Sequence, residues 1–363
     1  MDSTTLIRLN LDIKEKPIGK SLRFNAAVEE IKKINGKNNK IVVLSHRGRP
    51  DGVENSLSLK SFAPLLSKAI GKKVLFLDNS DLDKAADIIR NSSKEKIFLL
   101  ENVRFLKGET ENNLVLARRL SKLGTEFISD DFATSHRADA SLAAITRFIP
   151  SKPGNLLKEE VKNLSLAFKK PKSPFVLLIG GAKAKDKVGV IKSLIKRADL
   201  VMVGGAAANT FLKSRGMDIK DSLYEPDMLQ VARRLLKNKK LAIPTDFIWD
   251  DNKILDIGPQ TIKLYSFYLK SARFIIWNGP MGMFEKKQFA AGTQAMAKAV
   301  FSNRKSSAVI GGGETVSALS LKNQIQHPKP NIFLSTGGGA MLEFLAGEKM
   351  AGLEAVMKKN RAK

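Results

Sequence analysis

A chain of 363 residues with 43% hydrophobic residues is long enough for about two domains, each with its own core. Because it contains no cysteine, disulfides, thiolate metal sites and cysteine nucleophiles are excluded, and a reducing, cytoplasmic location is expected. No apolar stretch has the length of a membrane-spanning helix and the first residues lack the layout of a signal peptide, so no membrane partner is expected.

The formal net charge of +26 comes from 62 Lys and Arg against 36 Asp and Glu. Such a charge favours anionic substrates and permits binding to nucleic acid. Most of the lysines lie in helical stretches such as 29–34 and 231–240, which is typical of solvated faces. Only 7% of the residues are aromatic, and no basic run is interleaved with aromatics that would stack on bases. Nucleic acid is therefore not expected as a partner, although the charge leaves it open.

In chain order, the first half alternates strand-like and helix-like segments. Strands are predicted at 41–45, 73–77, 96–100 and 126–129, and helices at 58–70, 81–90 and 115–123. Alternation of strands and helices with short links indicates parallel βαβ units.

Pro150, Pro153 and Gly154 interrupt this pattern, and a polar helix is predicted from 155 to 169. We interpret this helix as the connector between two domains, because strand and helix alternation restarts after Pro174. The predicted fold class is α/β, with two Rossmann-like three-layer domains that have parallel sheets and are joined by a hinge helix.

Every apolar run in the second half that reads as a buried strand ends in adjacent glycines. The four glycine runs begin at Gly180, Gly204, Gly311 and Gly337. Continuous apolar runs suit strands covered on both faces, as in a parallel sheet flanked by helices. Glycine at the carboxyl end of a strand lets a ligand approach the backbone, and the next helix offers free N–H groups to phosphate. The pattern predicts a phosphate-binding edge, while a tight turn is the alternative for any single pair.

Arginines and histidines follow three of the predicted strands in the first half. The set comprises His46, Arg49, Arg104, His136 and Arg137. If the strands are parallel neighbours, their carboxyl ends converge and gather these side chains in one crevice. Uncompensated arginines repel, so such a set is stable mainly with an anion between them, and the guanidinium fork suits phosphate or carboxylate. The alternative is that each arginine forms a surface ion pair with Glu101, Asp130 or Asp131.

Two features of the second half concern charge at helix starts. Lys183 and Lys187 are four residues apart on one helix face, where they oppose each other and the helix dipole unless a polyphosphate binds. Glu314 follows three glycines, and a carboxylate there repels phosphate unless Mg²⁺ lies between. The alternatives are ordinary lysines in a lysine-rich chain and an acidic residue that a first helical turn favours.

With these residues in place, the sequence resembles the phosphoglycerate kinase family over nearly its full length. The resemblance rests on nine ordered blocks, which are 45–52, 101–105, 136–141, 180–187, 204–212, 256–261, 277–285, 311–315 and 335–343. The family has two α/β domains of similar size that close about a hinge. The resemblance implies a phosphoglycerate-binding domain at 1–154 with a tail at 341–363 that packs back on it, a connecting hinge helix at 155–170, and a nucleotide-binding domain at 171–340.

The resemblance also implies a monomeric kinase that transfers phosphate reversibly between 1,3-bisphosphoglycerate and MgADP, giving 3-phosphoglycerate and ATP. It implies that Arg23 and Lys183 act catalytically by neutralising the moving charge, and that Glu314 helps to hold Mg²⁺. The implied substrate-binding residues are Asn10, Asp12, Arg23, His46, Arg49, Arg104, His136 and Arg137. The implied nucleotide-binding residues are Gly181, Lys183, Lys187, Gly205, Asn278, Pro280, Glu285, Gly311, Gly312, Gly313, Glu314 and Thr315.

Some positions depart from the family pattern. In the block at 8–14, Asn10 and Asp12 exchange the usual Asp and Asn, and the usual proline is lost. Asp139 replaces a histidine, and Glu314 stands where aspartate is more common. A second hypothesis follows, in which a kinase-like protein has lost turnover and holds RNA or another polyanion on its basic surface.

Overall fold

The computed structural model describes residues 3–13, 17–36, 39–320 and 329–358. The chain divides into two compact units, one from Met1–Glu160 with Met350–Lys363 and one from Val161–Lys349. We call them unit 1 and unit 2. Among the helices in the described ranges, none has both the length and the apolarity that crossing a membrane requires.

Unit 1 is built on a six-stranded parallel sheet, which we call sheet A. Its strands are β1 (Ser3–Arg8), β2 (Asn39–Leu44), β3 (Val74–Leu77), β4 (Ile97–Leu100), β5 (Glu126–Ser129) and β6 (Ser151–Pro153). The strand order is β3-β4-β2-β1-β5-β6. The connecting helices are α1 (Leu22–Ile34), α2 (Phe62–Ile70), α3 (Leu82–Asn91) and α4 (Leu114–Ser121), and α5 (Asn155–Ser165) contains the boundary between the units.

Both faces of sheet A are buried, which explains the continuous apolar runs. Ile41 and Val43 pack into one core cluster, whereas Val42 and Leu44 pack into the other. Successive side chains of a strand point to opposite faces, so a strand between two helical layers needs apolar residues at every position. The parallel three-layer arrangement predicted for the first half is confirmed.

Unit 2 is built on a second six-stranded parallel sheet, sheet B. Its strands are β7 (Phe175–Ile179), β8 (Leu200–Val203), β9 (Leu241–Ala242), β12 (Phe274–Asn278), β13 (Ser307–Gly311) and β14 (Ile332–Leu334), in the order β14-β13-β12-β7-β8-β9. An antiparallel pair is formed by β10 (Phe247–Asp250) and β11 (Lys253–Ile257). The helices are α6 (Ala184–Leu194), α7 (Gly205–Ser214), α8 (Leu229–Leu235), α9 (Pro259–Ser271), α10 (Ala291–Ser302), α11 (Gly313–Ser320) and α12 (Gly339–Ala346), and the last helix, α13 (Ala351–Lys358), belongs to unit 1.

Several strands of the structure were not predicted from the sequence. β1 begins with three polar residues, which conceal a central strand of sheet A, and Thr5 on it bonds through Oγ1 to Glu126 Oε1 at 2.8 Å. β6 lies where Pro150 and Pro153 suggested an interruption, because an edge strand accommodates proline. The helix predicted at 155–169 ends at Ser165.

The glycine pattern of the second half was incomplete. β12 is a fully buried central strand of sheet B, but it ends in Asn278 and Gly279 instead of paired glycines. The statement that every buried strand of the second half ends in adjacent glycines is therefore wrong for β12. The antiparallel pair β10 and β11 was also not predicted.

Candidate functional site

The carboxyl ends of four neighbouring strands of unit 1 bring together most of the predicted basic residues. In sheet A the order β4-β2-β1-β5 places the loops after these strands side by side. His46 follows β2, Arg104 follows β4, and His136 with Arg137 follows β5. Burial lowers the pKa of His46, and four nearby positive charges lower it further; they belong to Arg8, Arg104, Arg137 and Arg23. We call these four residues the arginine cluster.

Arg8 is a member of the cluster that the sequence did not assign to the site. It ends β1 and is fully buried. Its Nη1 donates to Asp131 Oδ2 at 3.0 Å, and its Nε donates to Ser141 Oγ at 3.1 Å. An arginine at the end of a central strand was the available signal, but β1 itself had not been predicted.

His46 has a defined protonation state. Arg8 Nη2 lies 3.0 Å from His46 Nδ1, and because arginine can only donate, Nδ1 must accept this hydrogen bond. His46 is therefore neutral and carries its proton on Nε2. Burial lowers its pKa well below the usual value, and the positive charges of the arginine cluster lower it further. Nε2 lies 3.9 Å from Asp12 Oδ2, so one N–H donor remains at the site.

Arg104 carries two donors that no described residue satisfies. Its Nη1 donates to Gly48 O, but Nε and Nη2 are buried without a hydrogen-bond acceptor among the described residues. Nη2 lies 3.8 Å from Asp139 Oδ2, which is too long for a hydrogen bond. Burial lowers the pKa of Arg104, and the charge of Arg137 lowers it further. Buried unmatched donors call for an explanation, and an anionic ligand supplies one.

Asn10 and Asp12, which are exchanged relative to the family pattern, are held by hydrogen bonds to the loops after β5 and β2. Asn10 Nδ2 donates to Asp131 Oδ1 at 2.9 Å, and Asn10 Oδ1 accepts from Asp12 N at 3.1 Å. Asp12 Oδ1 accepts from Gly48 N at 2.9 Å, while Arg23 Nη1 donates to Asp12 O at 2.9 Å. The amide of Asn10 is therefore engaged within the protein, and Asp12 fixes the loop after β2.

The remaining predicted residues of unit 1 differ in position. Arg137 Nε donates to His136 Nε2 at 3.3 Å, and both side chains are partly buried. Arg49 is exposed in the loop after β2. Among the described residues, it forms no hydrogen bond or ion pair with the arginine cluster. Within the described part of the chain, neither Glu101 nor Asp130 forms an ion pair with these arginines. Glu101 accepts from Ser58 Oγ and Leu59 N, and Asp130 Oδ1 accepts from Leu157 N.

In unit 2, several predicted glycines are required for contacts between loops. A Cβ at Gly180 would collide with the backbone oxygen of Pro280, and Gly181 N donates to that oxygen at 2.8 Å. Gly205 has a φ of +59°, and a Cβ there would lie 2.8 Å from Gly181 N. Only glycine fits such close backbone approach. These glycines hold the loops after β7, β8 and β12 together, whereas Gly313 at the start of α11 has open space around it.

Lys183 and Lys187 occupy different environments, which corrects the prediction of one helix face. Lys183 is exposed and has extended backbone angles, because it precedes the first residue of α6. Lys187 is buried in the first turns of α6, and its Nζ donates to Asn278 Oδ1. Burial lowers the pKa of Lys187 to about 8, although Glu314 and Asp186 oppose the shift. A buried ammonium group beside a loop edge is a good partner for an anion.

Glu314 and Thr315 begin α11. Glu314 is exposed, and its Oε2 lies 3.3 Å from the position that a Cβ would take at Gly181. Thr315 is buried, and its Oγ1 accepts from Gly279 N at 2.7 Å. The threonine hydroxyl therefore stabilises the loop after β12, while the glutamate faces the glycine loop after β7.

A cavity of about 520 Å³ lies beside these loops in unit 2. Five predicted nucleotide-binding residues line it, namely Gly181, Gly205, Pro280, Glu285 and Glu314. Lining residues that the sequence did not assign include Asn209, Leu223, Phe247, Leu255, Asp256 and Met281. Asn209 and Asp256 fall within blocks of the resemblance, but Phe247 and Leu255 lie on the antiparallel pair that was not predicted. The mostly apolar lining suits a flat ring, and Glu314 lies at the same cavity.

The donor set fits Mg²⁺ that arrives with a nucleotide. In the described residues, no group of three or more His, Asp or Glu side chains is arranged to hold a metal ion. Glu314 supplies one hard oxygen donor near Lys187, and Mg²⁺ is commonly bound by one or two carboxylates with substrate phosphates completing its shell.

Comparisons with known proteins agree with this geometry. The family described as phosphoglycerate kinase matches residues 2–348. The chain is 36% identical to phosphoglycerate kinase of Finegoldia magna, over 96% of this chain and 94% of that protein. It is 38% identical to the Deinococcus radiodurans protein of the same name, over 96% and 90%. The solved structure from Coxiella burnetii has a TM-score of 0.84 and 34% identity, with 100% of this chain and 97% of that one covered. The structure from Pyrococcus horikoshii OT3 has a TM-score of 0.86 and 28% identity, with 100% and 98% covered.

Proposed function

The chain belongs to the phosphoglycerate kinase family, and on this premise we propose that it transfers a phosphoryl group reversibly between 1,3-bisphosphoglycerate and MgADP. The products are 3-phosphoglycerate and ATP, as in glycolysis. The observation that best supports the anionic substrate is Arg104, whose Nε and Nη2 are buried inside the arginine cluster with no acceptor among the described residues. The alternative of a binding protein without turnover is not favoured, because the family match spans nearly the whole chain.

We assign phosphoglycerate to unit 1. The carboxylate and phosphate of this substrate match the fork of Arg104 and the charges of Arg23 and Arg137. His46 contributes a neutral Nε2–H donor, since Arg8 occupies Nδ1. Asp139 partly balances Arg104 from 3.8 Å, so the pocket is less positive than one with histidine at this position.

We assign the nucleotide to the cavity of unit 2. The base and ribose fit between the loop after β7, the loop after β8 and the antiparallel pair, with Glu285 on the ribose. The phosphates extend towards Lys187, Asn278 and the first turn of α11, where the N–H groups of a helix start favour anions. Glu314 would help to hold Mg²⁺ that is bound with the nucleotide, and the ion would screen the charge of the phosphate oxygens.

The chemical step needs charge neutralisation but no general base. A β-phosphate oxygen of ADP attacks the phosphorus, the bond from phosphorus to the carboxyl oxygen breaks, and its electron pair leaves with the carboxylate of 3-phosphoglycerate. In the reverse direction that carboxylate is already ionised at neutral pH. Arg23 and Lys183 neutralise the transferring group, and catalysis reduces to positioning and electrostatics.

Because the two ligands bind to different units, we also propose closure about the connecting helix α5. A monomeric state and a cytoplasmic location are further parts of the proposed function.

A coupled assay with MgATP and 3-phosphoglycerate tests the function. Lys183→Ala should lower turnover by about 100- to 1,000-fold, as expected for loss of a donor to the transition state. Lys185→Ala is the matched control, because Lys185 is exposed nearby on α6, and it should keep normal turnover. Absence of turnover in the unaltered protein would contradict the function, and equal turnover in both variants would contradict the role of Lys183.

A further inference from the structure

The connections that enter the strands of sheet B are basic. They are 166–174, 195–199, 236–240, 272–273, 303–306 and the described residues 329–331. Asp199 is their one acidic residue, against twelve cationic residues. We call these twelve the basic edge: Lys169, Lys170, Lys172, Lys196, Arg197, Lys237, Lys239, Lys240, Arg273, Arg304, Lys305 and Lys329. For the whole chain the ratio is only 62 to 36, so these connections are much more basic than the average.

The topology of sheet B places these connections side by side, although they are far apart in sequence. All six strands are parallel, and the first residues of β7, β12 and β13 pair in register through Phe175, Phe274 and Ser307. Strands lie about 4.8 Å apart, so six strand starts form a strip about 24 Å long. The cavity is built from loops at the opposite, carboxyl ends of the strands. The basic edge is therefore separate from the proposed nucleotide site.

Most charges of the basic edge are exposed, and none is balanced by an ion pair among the described residues, although Lys240 Nζ donates to Ala198 O and Lys329 Nζ donates to Phe301 O. Ten of the twelve side chains are exposed, and Lys240 and Lys329 are half-buried. None of the twelve forms an ion pair with another described residue. Asp199 instead accepts from Ser173 Oγ at 2.8 Å and from Phe175 N at 2.7 Å. By contrast, Lys73 before β3 in sheet A pairs with Glu95. Mutual repulsion along such a strip is relieved when a polyanion binds.

Two exposed aromatic rings border the strip. Phe267 and Tyr268 lie in the last two turns of α9, which leads through Arg273 into β12. Phe267 is 67% exposed and Tyr268 is 37% exposed, and their ring centroids are 5.6 Å apart. Exposed rings beside a cationic track are the usual platform for unpaired bases. A membrane surface would instead require large apolar residues along the strip, where Leu166 is the exposed example among the described residues.

We propose that the basic edge, with Phe267 and Tyr268, binds single-stranded nucleic acid at a site independent of the proposed active site. The cations contact successive phosphates and release counterions, while the two rings stack on unpaired bases. Recognition rests on backbone charge and stacking, so little dependence on base sequence is expected.

The test measures fluorescence anisotropy of a labelled single-stranded RNA of about 20 nucleotides with the full chain over a range of salt concentrations. Binding should weaken with salt, with a slope of about −0.7 in log K against log salt for each phosphate contacted. The variant with Lys172→Glu, Arg273→Glu, Arg304→Glu and Lys305→Glu should bind at least about 30-fold more weakly with a shallower slope, and it should keep turnover. The matched control has the same charge change at exposed positions of unit 1, Lys68→Glu, Lys72→Glu, Lys94→Glu and Arg147→Glu, and should retain most of the affinity.

A second pair of variants separates stacking from plain charge and keeps the test decisive if the fourfold variant does not fold. Phe267→Ser with Tyr268→Ser should weaken RNA binding about tenfold but leave binding of duplex DNA and inorganic polyphosphate unchanged. The proposal is overturned if the unaltered chain does not bind RNA at about 0.15 M salt, or if the control variant loses as much affinity. Tighter binding to anionic phospholipid vesicles than to RNA, or no effect of the aromatic variants on RNA, also overturns it.

Discussion

Arg8 donates from Nη2 to His46 Nδ1 at 3.0 Å, and this contact determines the protonation state of the histidine. A donor-only guanidinium on Nδ1 is compatible with neutral imidazole and incompatible with imidazolium. The proton lies on Nε2, and the surrounding arginines resist a second proton. His46 is thus a hydrogen-bond donor of fixed orientation and does not serve as a base.

We predict that His46 does not titrate between pH 8 and pH 6. Burial and the arginine cluster lower its pKa well below the usual value, so the neutral form persists in this range. The chain has three histidines, and long-range proton–nitrogen NMR with a His46→Gln variant assigns the signal. A His46 signal that shifts with a midpoint near 6.5 would refute the tautomer assignment.

Arg104→Lys should weaken binding of 3-phosphoglycerate although it keeps the charge. Lysine loses the Nε and Nη2 donors that have no acceptor among the described residues. Loss of one hydrogen bond between charged groups costs about 1.5–3 kcal/mol, which is about 10- to 150-fold in affinity. Isothermal titration calorimetry measures it. Arg90→Lys is the control, because Arg90 is an exposed partner of Asp87, and unchanged affinity in both variants would show that Arg104 does not contact the substrate.

Lys187→Met should raise stability at pH 7 and lower nucleotide affinity. Burial lowers the pKa of Lys187 from 10.5 to about 8, so the unfolded chain binds more protons than the folded chain between these values. Stability is therefore lost as pH falls from about 10.5 to 8, at up to about 1.4 kcal/mol per pH unit, and the loss persists at lower pH. Thermal unfolding from pH 7 to 10.5 should show this slope in the unaltered chain and not in the variant. The same slope in both proteins would exclude Lys187 as its source.

Asp130→Asn should change the pH dependence of stability in the opposite sense. Burial and the charge of Glu30 raise the pKa of Asp130 to about 7, while Asp130 Oδ1 accepts from Leu157 N at 2.8 Å in α5. The folded chain then holds a proton that the unfolded chain releases above about pH 4, so stability falls as pH rises from about 4 to 7, by about 1.4 kcal/mol per unit at most. Asparagine keeps the acceptor without the charge. Denaturant unfolding at pH 5 and pH 8 should show a smaller decrease in the variant, and an equal decrease would contradict the assignment.

The sequence predicted the layers and the gathering of basic residues better than it predicted individual contacts. Parallel strands with continuous apolar runs require two covered faces, so the three-layer units followed from pattern alone. The polar start of β1 concealed that strand, and Arg8 was missed with it. Arg49 follows a predicted strand, as Arg104 does, but its side chain is exposed. The direction of a loop side chain depends on tertiary contacts, which the sequence pattern does not show.

Charge gives a second example of what sequence order conceals. The twelve cations of the basic edge are distributed over six connections from residue 169 to residue 329. They therefore do not stand out in the sequence as one basic run interleaved with aromatic residues. Only the strand order of sheet B brings them to one edge. Lys183 and Lys187 show the converse, since a spacing of four predicts one helix face but α6 begins after Lys183.

The most direct test of the arginine cluster as the phosphoglycerate site is a crystal structure of the protein with 3-phosphoglycerate. We predict that carboxylate or phosphate oxygens of the ligand lie within about 2.7–3.2 Å of Arg104 Nε and Nη2. A ligand bound elsewhere, with those two donors still lacking an acceptor, would contradict the assignment of the arginine cluster as the phosphoglycerate site.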